Sequence, residues 1–226
     1  MTADLPDLAP LIDHALLDPH QGREGVHRCC DEARHFGFAG VCVASRWVEA
    51  ARERLPLQGS GKGSSPQLIT VVGFPFGAIP APIKRAEAEL AAAAGADELD
   101  VVPDFGALAE GDTATVLADL APICELGLPV KVILEVGRLT PEALELLVEV
   151  SIDAGARFLK SGSGFGPPVT PAQVGRLRDL ARGRAAVKAS GGIGDLEQAC
   201  ALVEAGASRL GTSRGVALMQ ALRAGG

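Results

Sequence analysis

The stretch AGARFLKSGSGFG, residues 154–166, decides the fold. A small-residue helix end meets a glycine turn, then an apolar run, then a second glycine-rich turn. That order is what a helix feeding a parallel strand requires. The same opening recurs as AGADELDVV from Ala94 and AGASRLGTS from Ala205. Each copy precedes a β-rich run, and these runs count as strands four, six and eight. Working outward gives eight strand candidates: 11–16, 40–44, 68–74, 97–102, 130–136, 157–161, 185–190 and 208–213. Segments of helical character lie at about 22–36, 45–55, 80–94, 113–126, 141–154, 171–182, 195–205 and 214–223. Thr140-Pro141 and Thr170-Pro171 each put a cap residue before a proline at the first helical position, and Asp195 is a third cap candidate. Eight βα units without a dinucleotide fingerprint predict an α/β fold. We expect a single-domain (β/α)8 TIM barrel spanning 1–226 in preference to an open doubly wound sheet.

Composition narrows the function. At 226 residues and 47% hydrophobic content, the chain has enough apolar material for one sizeable core. A net charge of -7 argues against a general nucleic-acid binder. No apolar run is long enough to span a membrane, and MTADLPDLAP does not read as a signal peptide. The five cysteines, without a CxxC pair, suggest reduced, cytoplasmic usage. The four histidines all fall within the first 35 residues and form no close ligand cluster, so no metal is expected. GSGKGSS (59–65) lacks phosphate-loop spacing and precedes a strand, so it reads as a flexible surface turn.

Strand alternation then says which side chains enter the barrel. Asp100, Lys131, Glu135, Lys160, Lys188 and Ser190 fall on inward positions, as does Cys42, which is expected to be a small buried thiol. Three of the chain's five lysines lie on strands five, six and seven, against sixteen arginines used elsewhere. Arginine cannot serve as an amine nucleophile, whereas lysine can once it loses its proton. Bringing a lysine to neutrality near pH 7 costs roughly 4–5 kcal/mol. A second ammonium at about 5 Å supplies about 3 kcal/mol of that. We therefore expect Lys160 to be a neutral amine that forms a Schiff base, with Lys188 as its like-charge neighbour. Asp100 is the expected proton shuttle, acting through a water. The plainer reading is interior lysines ion-paired to Asp13, Asp100 and Glu135, and for Lys131 the two readings stand level. Gly191-Gly192 and Ser213-Arg214 follow strands seven and eight, where barrels often bind phosphate, and Ser163-Gly164 on the loop after Lys160 is expected to add a third wall.

These residues make the chain recognisable. It resembles deoxyribose-phosphate aldolases over nearly its whole length, through IDHALL (12–17), GVCV (40–43), VVGFPFG (71–77), GADELDVV (95–102), VKVILE (130–135), FLKSGSGFG (158–166), VKASGGI (187–193) and RLGTS (209–213). The resemblance implies a metal- and cofactor-free class I aldolase. Such an enzyme cleaves 2-deoxy-D-ribose 5-phosphate reversibly to D-glyceraldehyde 3-phosphate and acetaldehyde. It implies Lys160 as the Schiff-base lysine, Lys188 as its perturber and Asp100 as the proton-transfer aspartate. Gly164, Gly191, Gly192 and Ser213 match the family's phosphate-binding positions. From the residues themselves we also expect Arg214 at the phosphate and Asp13, Cys42 and Lys131 around the substrate. The resemblance also implies a homodimer or larger assembly. The chain departs from the family pattern at Ala15, where threonine is usual, in KSGSGF for KTSTGF, and at Asp104, where asparagine is usual. Another Schiff-base barrel aldolase and a non-catalytic phosphosugar-binding barrel are the competing readings.

Overall fold

Hydrogen-bonded neighbours run in chain order around the molecule, and the last strand returns to the first, giving a closed, all-parallel barrel. The computed structural model describes residues 6–56 and 65–224. Most of GSGKGSS lies outside the described residues. The strands are β1 (Ile12–Leu16), β2 (Gly40–Ala44), β3 (Gln67–Val72), β4 (Glu98–Val101), β5 (Val130–Ile133), β6 (Phe158–Lys160), β7 (Ala186–Ser190) and β8 (Arg209–Thr212). The helices are α1 (Arg23–Phe36), α2 (Val48–Arg52), α3 (Ala81–Ala93), α4 (Phe105–Ala109), α5 (Thr113–Cys124), α6 (Pro141–Asp153), α7 (Pro171–Ala181), α8 (Leu196–Glu204) and α9 (Gly215–Ala224).

Local chemistry sets the helix starts. Thr140 accepts from the Ala143 N–H, Asp195 accepts from the Gln198 N–H, and Thr170 forms a full capping box with Gln173. The AGA repeat is one structural solution used three times: Gly95, Gly155 and Gly206 have φ of 99°, 99° and 116°. Those left-handed values are ones that glycine adopts without a Cβ penalty. Three features differ from the sequence reading. The segment 45–55 divides into a 3-10 turn (Ser45–Trp47) and the short α2. The short helix α4, capped by Asp104, was not foreseen, because five residues carry no readable period. Strand β5 stops at Ile133, and Glu135 adopts a left-handed backbone with φ 52°.

Apolar burial divides in two. Outward-facing Val41, Leu68, Leu99, Val132, Leu159 and Val187 join the core between strands and helices. Inside the barrel, Cys42, Ile69 and Val71 form a separate small cluster on β2 and β3. The interior from β4 round to β1 carries the charged side chains, with the apolar Ile133 and Phe158 among them. The fold thus confines its polar chemistry to one side of the lumen.

Candidate active site

Register sets the charged side chains against one another. Lys160 is paired with Lys188 across β6 and β7, and Asp100 with Lys131 across β4 and β5. Asp100 is fully buried, and its Oδ2 accepts from both Lys160 Nζ and Lys188 Nζ at 2.8 Å. Its Oδ1 lies 3.1 Å from Lys131 Nζ. Lys188 Nζ also lies 2.6 Å from Asp13 Oδ2, and Asp13 Oδ1 accepts from Arg209 Nε at 2.9 Å. Glu98 closes the far side, accepting from Lys131 and lying 3.6 Å from Arg209 Nη2.

Electrostatics follow from these distances. Burial pushes the Asp100 carboxyl up, but Lys131, Lys160 and Lys188 outweigh it and hold the group well below the carboxylate range. Asp13 is lowered in the same way, with Lys188 and Arg209 overcoming burial. Burial pushes Lys188 down, yet Asp100 and Asp13 raise it above the ordinary lysine range. Lys188 is therefore a fixed cation. Cys42 Sγ sits 3.9 Å from Asp100 Oδ2, and burial, with that carboxylate, pushes the thiol up to about 11.

Above this layer opens a cavity of about 630 Å³ at the strand C-termini. Lys160, Lys188 and Cys42 line its floor, and Gly164, Gly191, Gly192, Ser213 and Arg214 line its walls. Gly191 and Gly192 have φ of 110° and 71°, which permits the tight turn after β7. Two serines lock β6 to β7: Ser161 Oγ donates to the Ser190 carbonyl at 2.8 Å and accepts from its N–H at 2.9 Å. A neighbouring cavity of about 530 Å³ shares Ser163 and Phe165 with the first. Phe165 stands edge-on to Phe74, with ring centroids 5.6 Å apart.

The structure corrects several expectations. Asp13 and Lys131 are completely buried in ion pairs and do not line the cavity. Asp100 also lies below the cavity floor, so it reaches ligand only through its lysines or a water. Glu135 does not balance the lysines. The left-handed turn after β5 swings it away, and its Oε2 accepts from the Ser163 N–H at 3.2 Å and also from the Ser163 hydroxyl. Glu98 takes its place. The two catalytic candidates do not meet as bare like charges, because a carboxylate oxygen bridges them. Glu98 and Arg209 were missed, although Glu98 shares the face of Asp100 by alternation.

No protein-family model matches the chain. Individual proteins do. The deoxyribose-phosphate aldolase of Thermosynechococcus vestitus is 47% identical over 218 residues, covering 96% of this chain and 98% of that one. The solved structure of QR15, described as an aldolase, superposes with a TM-score of 0.89 at 33% identity, covering 96% of both chains. The tetrameric deoxyribose phosphate aldolase of Aeropyrum pernix gives a TM-score of 0.85 at 33% identity over 95% of this chain and 90% of that one. With this near-full-length similarity and a lysine-floored cavity at the mouth of an eight-stranded barrel, the chain belongs to the deoxyribose-phosphate aldolases, a family of aldehyde-lyases.

Proposed function

We propose that the chain cleaves 2-deoxy-D-ribose 5-phosphate reversibly through an imine on Lys160. The observation that carries this reading is the position of Lys160. Its Nζ reaches the cavity floor and is held from below by Asp100, beside a second lysine that stays charged. Among the described residues, the interior contains four cations, Lys131, Lys160, Lys188 and Arg209, against three carboxylates, Asp13, Glu98 and Asp100. Loss of one proton brings the set to neutrality, and Lys160 shares the cavity floor with the fixed cation Lys188.

The neutral amine adds to the aldehyde carbon, and loss of water gives the iminium. A base removes the proton of the C3 hydroxyl, the C2–C3 bond breaks, and its electron pair passes into the iminium to give an enamine. Glyceraldehyde 3-phosphate leaves. A proton returns to C2, and water releases acetaldehyde and the free lysine. Asp100 exchanges these protons through a water at the Lys160–Lys188 pair. Gly164, Gly191, Gly192, Ser213 and Arg214 hold the phosphate with backbone N–H groups and one guanidinium. We also propose that the chain works in the cytoplasm and assembles as a homodimer or larger oligomer; the Aeropyrum pernix relative is tetrameric. Among the described residues no helix is long and apolar enough to cross a membrane.

Borohydride reduction in the presence of acetaldehyde, read by peptide mass spectrometry, tests the reading. A two-carbon adduct on Lys160, absent in Lys160→Ala, is the expected result. An unmodified Lys160 would overturn it and favour a phosphosugar-binding barrel.

A further inference from the structure

The interior charges form a closed ring. Starting from Asp100, the contacts run to Lys188 at 2.8 Å, to Asp13 at 2.6 Å, to Arg209 at 2.9 Å and to Glu98 at 3.6 Å. Glu98 contacts Lys131, and Lys131 returns to Asp100 at 3.1 Å. Signs alternate all the way round, so the six members sum to zero. Lys160 hangs from Asp100 outside the ring and is the one charge left over. The ring draws on β1, β4, β5, β7 and β8. Its partly exposed members are Glu98 and Arg209, with side chains 10% and 13% exposed. Both lie at the strand starts, the end of the barrel opposite the cavity. Their 3.6 Å contact is also the longest in the ring.

We infer that Glu98 and Arg209 are positioning residues that set, from the far end of the barrel, the pH at which the Lys160 centre becomes reactive. The inference rests on the imine reading above. Its physical basis is charge balance in a poorly screened interior. Removing the Glu98 charge leaves the ring positive and drives a proton off the centre. Removing the Arg209 charge leaves the ring negative and holds the proton there. The other titratable groups facing the centre are Asp13 on β1, Cys42 on β2, Asp100 on β4, Lys131 on β5 and Lys188 on β7, and none of them is substituted in these variants. From β3 the same face carries Gln67, Ile69 and Val71, none of them titratable.

The test is the acid limb of kcat/KM against pH for Glu98→Gln, Arg209→Gln and the double variant, each checked for fold by circular dichroism. A unit charge about 10 Å away at an effective dielectric near 20 moves such a limb by roughly one pH unit. The expected result is a shift to lower pH for Glu98→Gln, a shift to higher pH for Arg209→Gln, and a return to the wild-type position in the double variant. One folded single variant is enough to read the sign. Shifts in the same direction, or none, would overturn the inference. It also falls if no variant folds, since the pair would then serve stability alone. Wild-type trapping on Lys160 is read in parallel. Its failure removes the imine reading, whereas trapping with an unmoved acid limb removes only the ring.

Discussion

Replacing Lys188 by methionine is the sharpest probe of the ion-pair layer. Lys188 holds two buried carboxylates, Asp100 at 2.8 Å and Asp13 at 2.6 Å. Removing one partner of a buried pair costs about 3–5 kcal/mol, because a charge is left uncompensated. Here neither carboxylate is orphaned: Asp13 keeps Arg209, and Asp100 keeps Lys131 and Lys160. The loss should therefore lie near the low end, about 3 kcal/mol, or about 6–12 °C in Tm for a domain of this size. The sign with pH follows from the direction of the shifts. Asp13 and Asp100 are depressed in the folded state, so their contribution is present above the unfolded carboxylate value, near pH 4, and fades as pH falls through the folded values. Lys188 is raised, so its contribution is complete below the unfolded lysine value and is lost only at more alkaline pH. The gap between wild type and Lys188→Met should thus be widest at neutral pH and begin to close below about pH 4. Thermal denaturation followed by circular dichroism at pH 7 and pH 3 measures it. A gap equally wide at both pH values, or a more stable variant at pH 7, would refute the reasoning.

Other perturbations separate packing from chemistry. Lys160→Met leaves the neutral ring whole and removes the surplus cation, so Tm should be unchanged or higher while borohydride trapping disappears. Gly211→Ala would put a Cβ 2.9 Å from Ser190 Cβ and 3.0 Å from Lys188 Cε, so it should lower both Tm and trapping rate, most simply read side by side with the wild type. Glu135→Ala frees the Ser163 loop from its buried acceptor, and steady-state kinetics should show KM for the phosphorylated sugar rising while acetaldehyde still traps on Lys160. Thr170→Ala deletes a cap that accepts from the Gln173 N–H at 3.3 Å and should cost about 1 kcal/mol in urea unfolding with activity intact.

The barrel was legible because its signals are local. The AGA turns, the Thr-Pro starts and the alternating β-runs each read within about ten residues, and the structure reproduces them. The inward lysines and Asp100 were legible for the same reason, since period-2 alternation holds wherever a strand continues. Glu135 shows where that logic stops. It counts as inward only if β5 reaches residue 136, and a left-handed residue ends the strand first. Partner choice was not legible either. Whether Lys188 meets Asp13 depends on how β7, β8 and β1 stagger at closure, a property of the whole barrel. Glu98 and Arg209 were available to alternation, two residues before Asp100 and Gly211, but they lie at strand starts, away from the end where chemistry is sought.

The Asp13–Arg209 contact joins residues 196 positions apart, across the seam where β8 meets β1. This has a consequence for the newly made chain. Until that seam zips, Lys188 lacks Asp13, and the pocket that isolates Lys160 from bulk water is incomplete. A ribosome-bound or partly unfolded copy carries ordinary surface-like lysines. On the proposed imine mechanism, an aldehyde-reactive amine would therefore exist only in the finished fold, at the floor of the cavity. On that reading, the closure of β8 on β1 is what completes the reactive centre.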